Sequence, residues 1–281
     1  MKIGLSSCGK TLCAETFKNY SDAGIKHIEI SEGKSGTAAL PWESLQLWAE
    51  EYEVTLWSLH LPFSPFSEID ISSPELGDRT VNYYLELIKK GSSIGIHNFI
   101  LHPSGEPIAE NCRAERMACA KKGLSRLAEL IAPLGATVCV ENLPRTCLGR
   151  DSSDMLELLS AHPDLRSCFD TNHLLSEDPV EYINRVGDRI VTLHVSDYDL
   201  LNERHWLPGE GVTDFHAIIS ALSRVGYEGP WLYELGFTAP SSIIRPRNLT
   251  YGDFVRNANE LISGQAPTVI GTPVKGLTSW K

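Results

Sequence analysis

The stretch Arg166-Ser167-Cys168-Phe169-Asp170-Thr171-Asn172-His173 decides the fold. Residues 166–170 read as a short buried strand ending in an acid, and a helical pattern at 179–186 follows. The unit repeats in both directions. Strand patterns lie before it at 2–6, 27–31, 54–60, 98–102 and 137–141, and after it at 189–195 and 231–234. Helical patterns alternate with them at 14–23, 42–52, 74–93, 110–134, 152–161 and 213–225, with a last one at 251–263. In 110–134, Met117, Leu124, Leu127, Leu130 and Ile131 fall mostly on one face, and Gly135 is a natural stop. Strict alternation implies a parallel sheet. Eight repeats imply closure into a single (β/α)8 TIM barrel, an α/β fold of roughly 250 residues. An open doubly wound sheet would carry a glycine-rich loop after its first strand, and Ser6-Ser7-Cys8-Gly9-Lys10 lacks that spacing. The barrel is expected over 1–263. Residues 264–281, rich in Gly, Pro, Ser and Thr, read as an extended arm or a disordered end, within reach of a neighbouring subunit in a homo-oligomer.

Composition narrows the function classes. The formal net charge of −11 argues mildly against a nucleic-acid backbone as main partner. No uncharged apolar run is long enough for a membrane span, and the N-terminus lacks a signal-peptide pattern. The 7 cysteines form no CxxC pair, so a disulfide framework is not expected and a reducing cytoplasm is the default. Cys139 and Cys168 sit inside strand patterns and read as small core residues.

Chemistry-bearing side chains recur at one end of the strands. His60, His102, Glu141, Asp170, His194 and Glu234 each stand at or near the C-terminal end of a strand pattern, where barrel active sites are built. A parallel strand covered on both faces is expected to be nearly all apolar. Acids and imidazoles there lose solvation unless something pairs with them. A divalent cation fits converging carboxylates, and such O/N donors suit Mn, Mg, Co or Zn. Taken singly, a strand-end Glu is as often a structural hydrogen bonder. A single His is more often a satisfied core or surface residue, the reading given to His27, His97, His162 and His216.

Three segments sharpen the pattern. In Phe169-Asp170-Thr171-Asn172-His173, an acid and an imidazole share one rim. In Leu193-His194-Val195-Ser196-Asp197, alternation turns His194 inward, while Asp197 points away and holds structure. Glu203-Arg204-His205-Trp206-Leu207-Pro208-Gly209-Glu210-Gly211 reads as a long loop covering a site. Trp206, with Trp57 or Phe63, is expected to stack on the apolar face of a ligand. Arg145 either meets an anionic group or makes a surface salt bridge.

On these segments, with Ser58-Leu59-His60-Leu61-Pro62-Phe63, Leu101-His102-Pro103, Val140-Glu141-Asn142 and Tyr233-Glu234, the chain resembles the xylose isomerase-like barrel superfamily from about residue 2 to 263. That superfamily includes sugar isomerases, ketose epimerases, inosose-processing enzymes and type IV apurinic endonucleases. The resemblance to the epimerase branch implies a metal-dependent sugar or polyol-ketone isomerase or epimerase. One divalent ion would be held by Glu141, Asp170, His194 and Glu234. Glu141 and Glu234 would also serve as the acid/base pair, working through an enediolate. His173 would contact a substrate hydroxyl, with His60, His102 and His205 as further substrate-binding candidates. The endonuclease branch implies the alternative, a multi-zinc phosphodiester hydrolase acting on abasic DNA. There, His60, His102, His173, Glu203 and His205 would be additional ligands for more than one Zn; Glu203 departs from the Asp of that branch. A non-catalytic carbohydrate-binding barrel is a third class. The particular sugar, its phosphorylation, the choice between epimerisation and isomerisation, and the metal stay open.

Overall fold

The computed structural model describes residues 1–8, 10–63 and 68–279. Trp280 and Lys281, the end of the expected tail, lie outside the described residues, as does Gly9 of the segment after the first strand. Eight short strands carry the core: β1 (Ile3–Ser6), β2 (His27–Ser31), β3 (Thr55–His60), β4 (Asn98–Leu101), β5 (Thr137–Glu141), β6 (Arg166–Asp170), β7 (Ile190–His194) and β8 (Trp231–Tyr233). They pair in parallel in the order β7-β6-β5-β4-β3-β2-β1-β8. A parallel bridge between Val195 and Tyr233 joins the two ends of the sheet, giving a nearly closed (β/α)8 barrel.

The outer layer contains α1 (Ala14–Ala23), α2 (Lys34–Ala38), α3 (Trp42–Glu51), α4 (Gly77–Ser93), α5 (Arg113–Ile131), α6 (Ser152–Leu159), α7 (Pro179–Val186), α8 (Phe215–Arg224) and α9 (Tyr251–Ile262). Met117, Leu124, Leu127 and Ile131 of α5 are buried, whereas Leu130 is exposed. The expected helix at 110–134 resolves into α5 with a 3-10 turn at each end. The short α2 has no counterpart in the sequence pattern; five residues around Gly36 are too few for a periodicity to register.

Two irregularities set the register of the site. Ile28 pairs with Leu56, but Glu29 pairs with Ser58, so Trp57 is an extra residue on β3. Ser167 pairs with Ile190, but Cys168 pairs with Thr192, so Val191 is an extra residue on β7. Such bulges re-aim the side chains beyond them. The second one brings His194 directly opposite Asp170. Inside the barrel, Ile100, Cys139 and Cys168 form a small apolar plug below the polar rim.

Residues after Gly264 lie along their own barrel. Thr268 is tied to Glu260, and Thr272–Pro273 pairs antiparallel with Ile243–Ile244. The Gly271 N–H donates to Glu210 Oε1, whose carboxylate also takes the guanidinium of fully buried Arg245. The described part of this segment is thus an ordered strap, and the disordered reading fails because Glu210 and Glu260 accept its backbone N–H groups.

α9 packs behind β8, with Tyr233 Oη donating to Asn257 Oδ1. Its first turn is a capping box of Thr250 and Asp253. The Arg247 guanidinium holds the Asp253 carboxyl well below the ordinary carboxylate range. A depressed pKa contributes stability above the unfolded value, which is lost as pH falls. Asp253→Ala is expected to lower stability by about 1 kcal/mol at neutral pH. Thermal melts from pH 7 downward should show the gap to the parent narrowing below about pH 4.

Candidate active site

The strand ends bring four donors together. Glu141 ends β5, Asp170 ends β6, His194 ends β7, and Glu234 follows β8 directly. One ligand atom from each lies within 4.8 Å of all the others. His194 Nδ1 is 2.8 Å from Glu141 Oε1, 3.1 Å from Glu234 Oε2 and 3.9 Å from Asp170 Oδ2. Asp170 is held from behind. Asn142 Oδ1 accepts from its backbone N–H at 2.7 Å, and Asn142 Nδ2 donates to its carbonyl at 2.9 Å. Asp170 Oδ1 accepts from the Asn172 N–H, while Oδ2 is buried with no hydrogen-bond partner among the described residues.

That orphaned oxygen is the fit test for a cation. Three carboxylates at 0–13% exposure share one small volume. Burial pushes the Asp170 carboxyl well above its ordinary value. Burial also opposes ionisation of Glu141 and Glu234, but the neighbouring imidazoles, His194 with His102 at Glu141 and His194 with His60 at Glu234, together hold both below the usual range. A buried carboxyl with one oxygen free of hydrogen bonds and aimed at two other acids and an imidazole fits a ligand of a cation. The donor set of three carboxylates and one imidazole suits a divalent ion.

Three more histidines surround Glu141. His60 Nε2 and His102 Nε2 lie 3.2 and 3.0 Å from Glu141 Oε2, and His173 Nδ1 lies 3.7 Å from Oε1. His60 is buried, which disfavours its charge, but Glu141 raises its pKa to about 9. Burial disfavours the charge of His173 too, yet Asp170 and Glu203 raise it to about 10. Burial lowers the pKa of His102.

The loop after β7 forms the other wall. Asp197 accepts backbone N–H groups from Tyr198, Gly209, Gly211 and Thr213, the structural role its outward position implied. A Cβ on Gly211 would stand 2.2 Å from the Tyr198 carbonyl oxygen, so only glycine lets the loop close on Asp197. Asn172 Oδ1 accepts from the backbone of Arg204 and His205 and draws the loop over the rim. Glu203 then meets His173 at 3.2 Å and Arg145 at 3.0 Å. Arg145 also makes two bonds to Glu106, at 2.7 and 2.8 Å. A cavity of about 390 Å³ opens above these groups. Glu141 and Glu234 reach it, together with His60, His102, His173, Glu203, His205, Arg145 and Phe63.

Two expected aromatic contacts are corrected. Trp206 is buried and absent from the cavity lining; its indole N–H donates to Ser242 Oγ, and its backbone pairs with Asp197. Trp57 donates to Thr192 Oγ1 lower in the barrel, because the β3 bulge turns it inward. Phe63 remains at the cavity, 51% exposed and stacked on the His102 ring with centroids 3.7 Å apart. Arg145 belongs to a half-buried network and is not a surface ion pair. One buried acid beside the donor cluster escaped the sequence reading. Glu29 on β2 lies 3.0 Å from His194 Nε2. A lone acid in His27-Ile28-Glu29-Ile30-Ser31 was the available signal.

A closed eight-strand barrel with an imidazole and carboxylate cluster at its C-terminal rim defines a class of barrel suited to holding a metal. Residues 17–247 match the family described as xylose isomerase-like TIM barrel, and the chain belongs to that family. An uncharacterized protein of Methanocaldococcus jannaschii is 25% identical over 64% of this chain and 64% of its own. Fructoselysine 3-epimerase of Escherichia coli O157:H7 is 24% identical over 84% of this chain and 90% of its own. The crystal structure of a D-tagatose 3-epimerase-like protein superposes with a TM-score of 0.80 and 22% identity, covering 94% of this chain and 97% of that one.

Cation binding at this cluster is testable through stability. Asp170→Asn replaces a buried carboxyl among other acids with a neutral amide of the same shape, so metal-free protein should melt at the parent temperature or above. Added Mn²⁺ at 100 times its Kd should stabilise the parent by about 2.7 kcal/mol and the variant by far less. Melting curves with and without the ion decide this; equal stabilisation of both proteins would remove Asp170 from the ligand set.

Proposed function

We propose that this chain is a metal-dependent sugar epimerase or isomerase that moves a proton on a ketose or related polyol ketone through an enediolate. One observation carries the reading: of the four clustered donors, Glu141 and Glu234 reach the cavity, whereas Asp170 and His194 lie beneath it. The two carboxylates can therefore touch both an ion and a substrate. The 3-epimerase names of the relatives support the same chemistry.

A divalent ion held by Glu141, Asp170, His194 and Glu234 would supply Lewis-acid polarisation of a substrate carbonyl and the neighbouring hydroxyl. The proton work falls to the protein. One of Glu141 and Glu234 takes the proton from the carbon beside the carbonyl. The other, in its acid form, returns a proton to that carbon from the opposite side. His194, with His102 beside Glu141 and His60 beside Glu234, holds both below the usual range, which suits whichever of the two abstracts the proton. His60 and His102 brace Glu141 through its second oxygen. His173 and His205 stand where substrate hydroxyls would lie, and Phe63 offers an apolar face. Arg145, the guanidinium on the far wall, is already taken by Glu106 and Glu203, so the cavity suits an unphosphorylated sugar.

The multi-zinc hydrolase reading has the neighbouring donor groups in its favour: ligand atoms of His173, Glu203 and His205, and likewise of His60, Glu141 and His194, also lie within 4.8 Å of one another. Against it, Glu203 is ion-paired with Arg145. Metal stoichiometry separates the two. One divalent ion per chain, retained in a Glu203→Ala, His205→Ala double variant, is expected; two or three zinc ions, partly lost in the variant, would favour hydrolysis.

Glu141→Gln and Glu234→Gln should each cut exchange of solvent deuterium into a ketose by at least about 100-fold. Mass spectrometry of the recovered sugar reads this. Exchange at the parental rate in either variant would end the two-carboxylate mechanism.

A further inference from the structure

We propose that Glu29 is a positioning residue for His194, fixing which imidazole nitrogen faces the metal. The inference rests on the reading that Glu141, Asp170, His194 and Glu234 hold a divalent ion. Glu29 is 0% exposed, inside the barrel on β2. Its Oε2 lies 3.0 Å from His194 Nε2 and accepts from Ser58 Oγ at 2.8 Å. On the other side of the same ring, Nδ1 faces Glu141, Glu234 and Asp170 at 2.8, 3.1 and 3.9 Å. A neutral imidazole has one N–H, and an ionised carboxylate can only accept. With Nε2 occupied by Glu29, Nδ1 is the nitrogen left to face the donor cluster, and a His194 that holds an ion there would keep its N–H on Nε2. Ligating histidines are commonly oriented in this way by a carboxylate on the far nitrogen.

The packing around Glu29 is built for that contact. The extra residue Trp57 sets Ser58 opposite Glu29, and the serine hydroxyl fixes the carboxylate that meets the ring. Glu29 Oε1 is buried with no partner among the described residues, an energetic cost that a leucine would avoid. A purely structural role leaves that cost unexplained, whereas orientation of His194 accounts for it. His194 is also fully buried, so no solvent competes for Nε2.

The test has two arms. Zinc-loaded parent protein carrying 15N-labelled histidine should show His194 as the Nε2–H tautomer with Nδ1 bound to metal; zinc on Nε2 would overturn the proposal. Zinc titration by calorimetry should show Glu29→Leu weakened about 10- to 100-fold. Glu29→Gln, whose amide oxygen still accepts from Nε2–H, should stay closer to the parent. Parental affinity in Glu29→Leu would overturn the role of Glu29 alone. Failure of the parent to bind any divalent ion would overturn the metal reading itself. The resonance arm needs no variant, so a Glu29→Leu chain that fails to fold leaves the proposal open to refutation.

Discussion

Like charge held out of water is the constraint on which this structure turns. Glu29, Glu141, Asp170 and Glu234 all point into the mouth of one barrel, and the first three are almost wholly buried. Two carboxylates a few ångströms apart repel strongly in a medium that screens poorly. The protein offsets part of this with imidazole. His194 stands between Glu29 and the other acids, and His60, His102 and His173 ring Glu141. The remainder falls on Asp170, whose carboxyl is pushed well above its ordinary range by burial. The cluster can therefore accept an added positive charge, whose attraction a buried site would screen poorly.

Such a site must be rigid, because carboxylates free to relax would turn apart. Rigidity comes from backbone devices below and beside the rim. The β7 bulge sets His194 opposite Asp170. Asn142 bonds both backbone polar groups of Asp170, joining β5 to β6 at the level of the acids. Asp197 gathers four N–H groups of the β7–α8 segment, and Glu210 ties that segment to the strap after α9. The chain thus spends two further buried acids on holding a loop. Neither touches the cavity, and both act through the backbone that carries Glu203 and His205.

The sequence revealed most where periodicity or strand position carried the signal. All eight strands were visible because their apolar runs end in polar residues, and that same break marked His60, His102, Glu141, Asp170, His194 and Glu234. Their convergence follows from the barrel: strands that close a ring bring their ends together. Trp206 was misplaced for a different reason. Its neighbours Glu203 and His205 do line the cavity, but a backbone bridge to Asp197 turns the indole toward Ser242. Side-chain direction in a loop depends on such long-range hydrogen bonds, which carry no local signature. Glu29 was missed because it sits within a strand and not at its end. Only the pairing register across β3 shows that it meets Ser58 and His194.

The Arg145 network bears on how the cavity divides its labour. At the inner end, Glu141 and Glu234 line the cavity with His194 beside both. At the outer end, Glu106 and Glu203 neutralise Arg145, and His173 links Glu203 back to Asp170. Histidines and Arg145 thus offset part of the carboxylate charge at both ends of the cavity, and hydrogen-bonding groups and the Phe63 ring are left to meet a ligand. A polyhydroxylated neutral molecule suits such a lining, since each hydroxyl can both donate and accept. A phosphodiester would have to displace a carboxylate from Arg145, and it would approach a wall that presents Glu106 and Glu203 beside that guanidinium. The ion pair that engages Glu203 thus also disfavours an anion at this wall, in keeping with sugar chemistry at this rim.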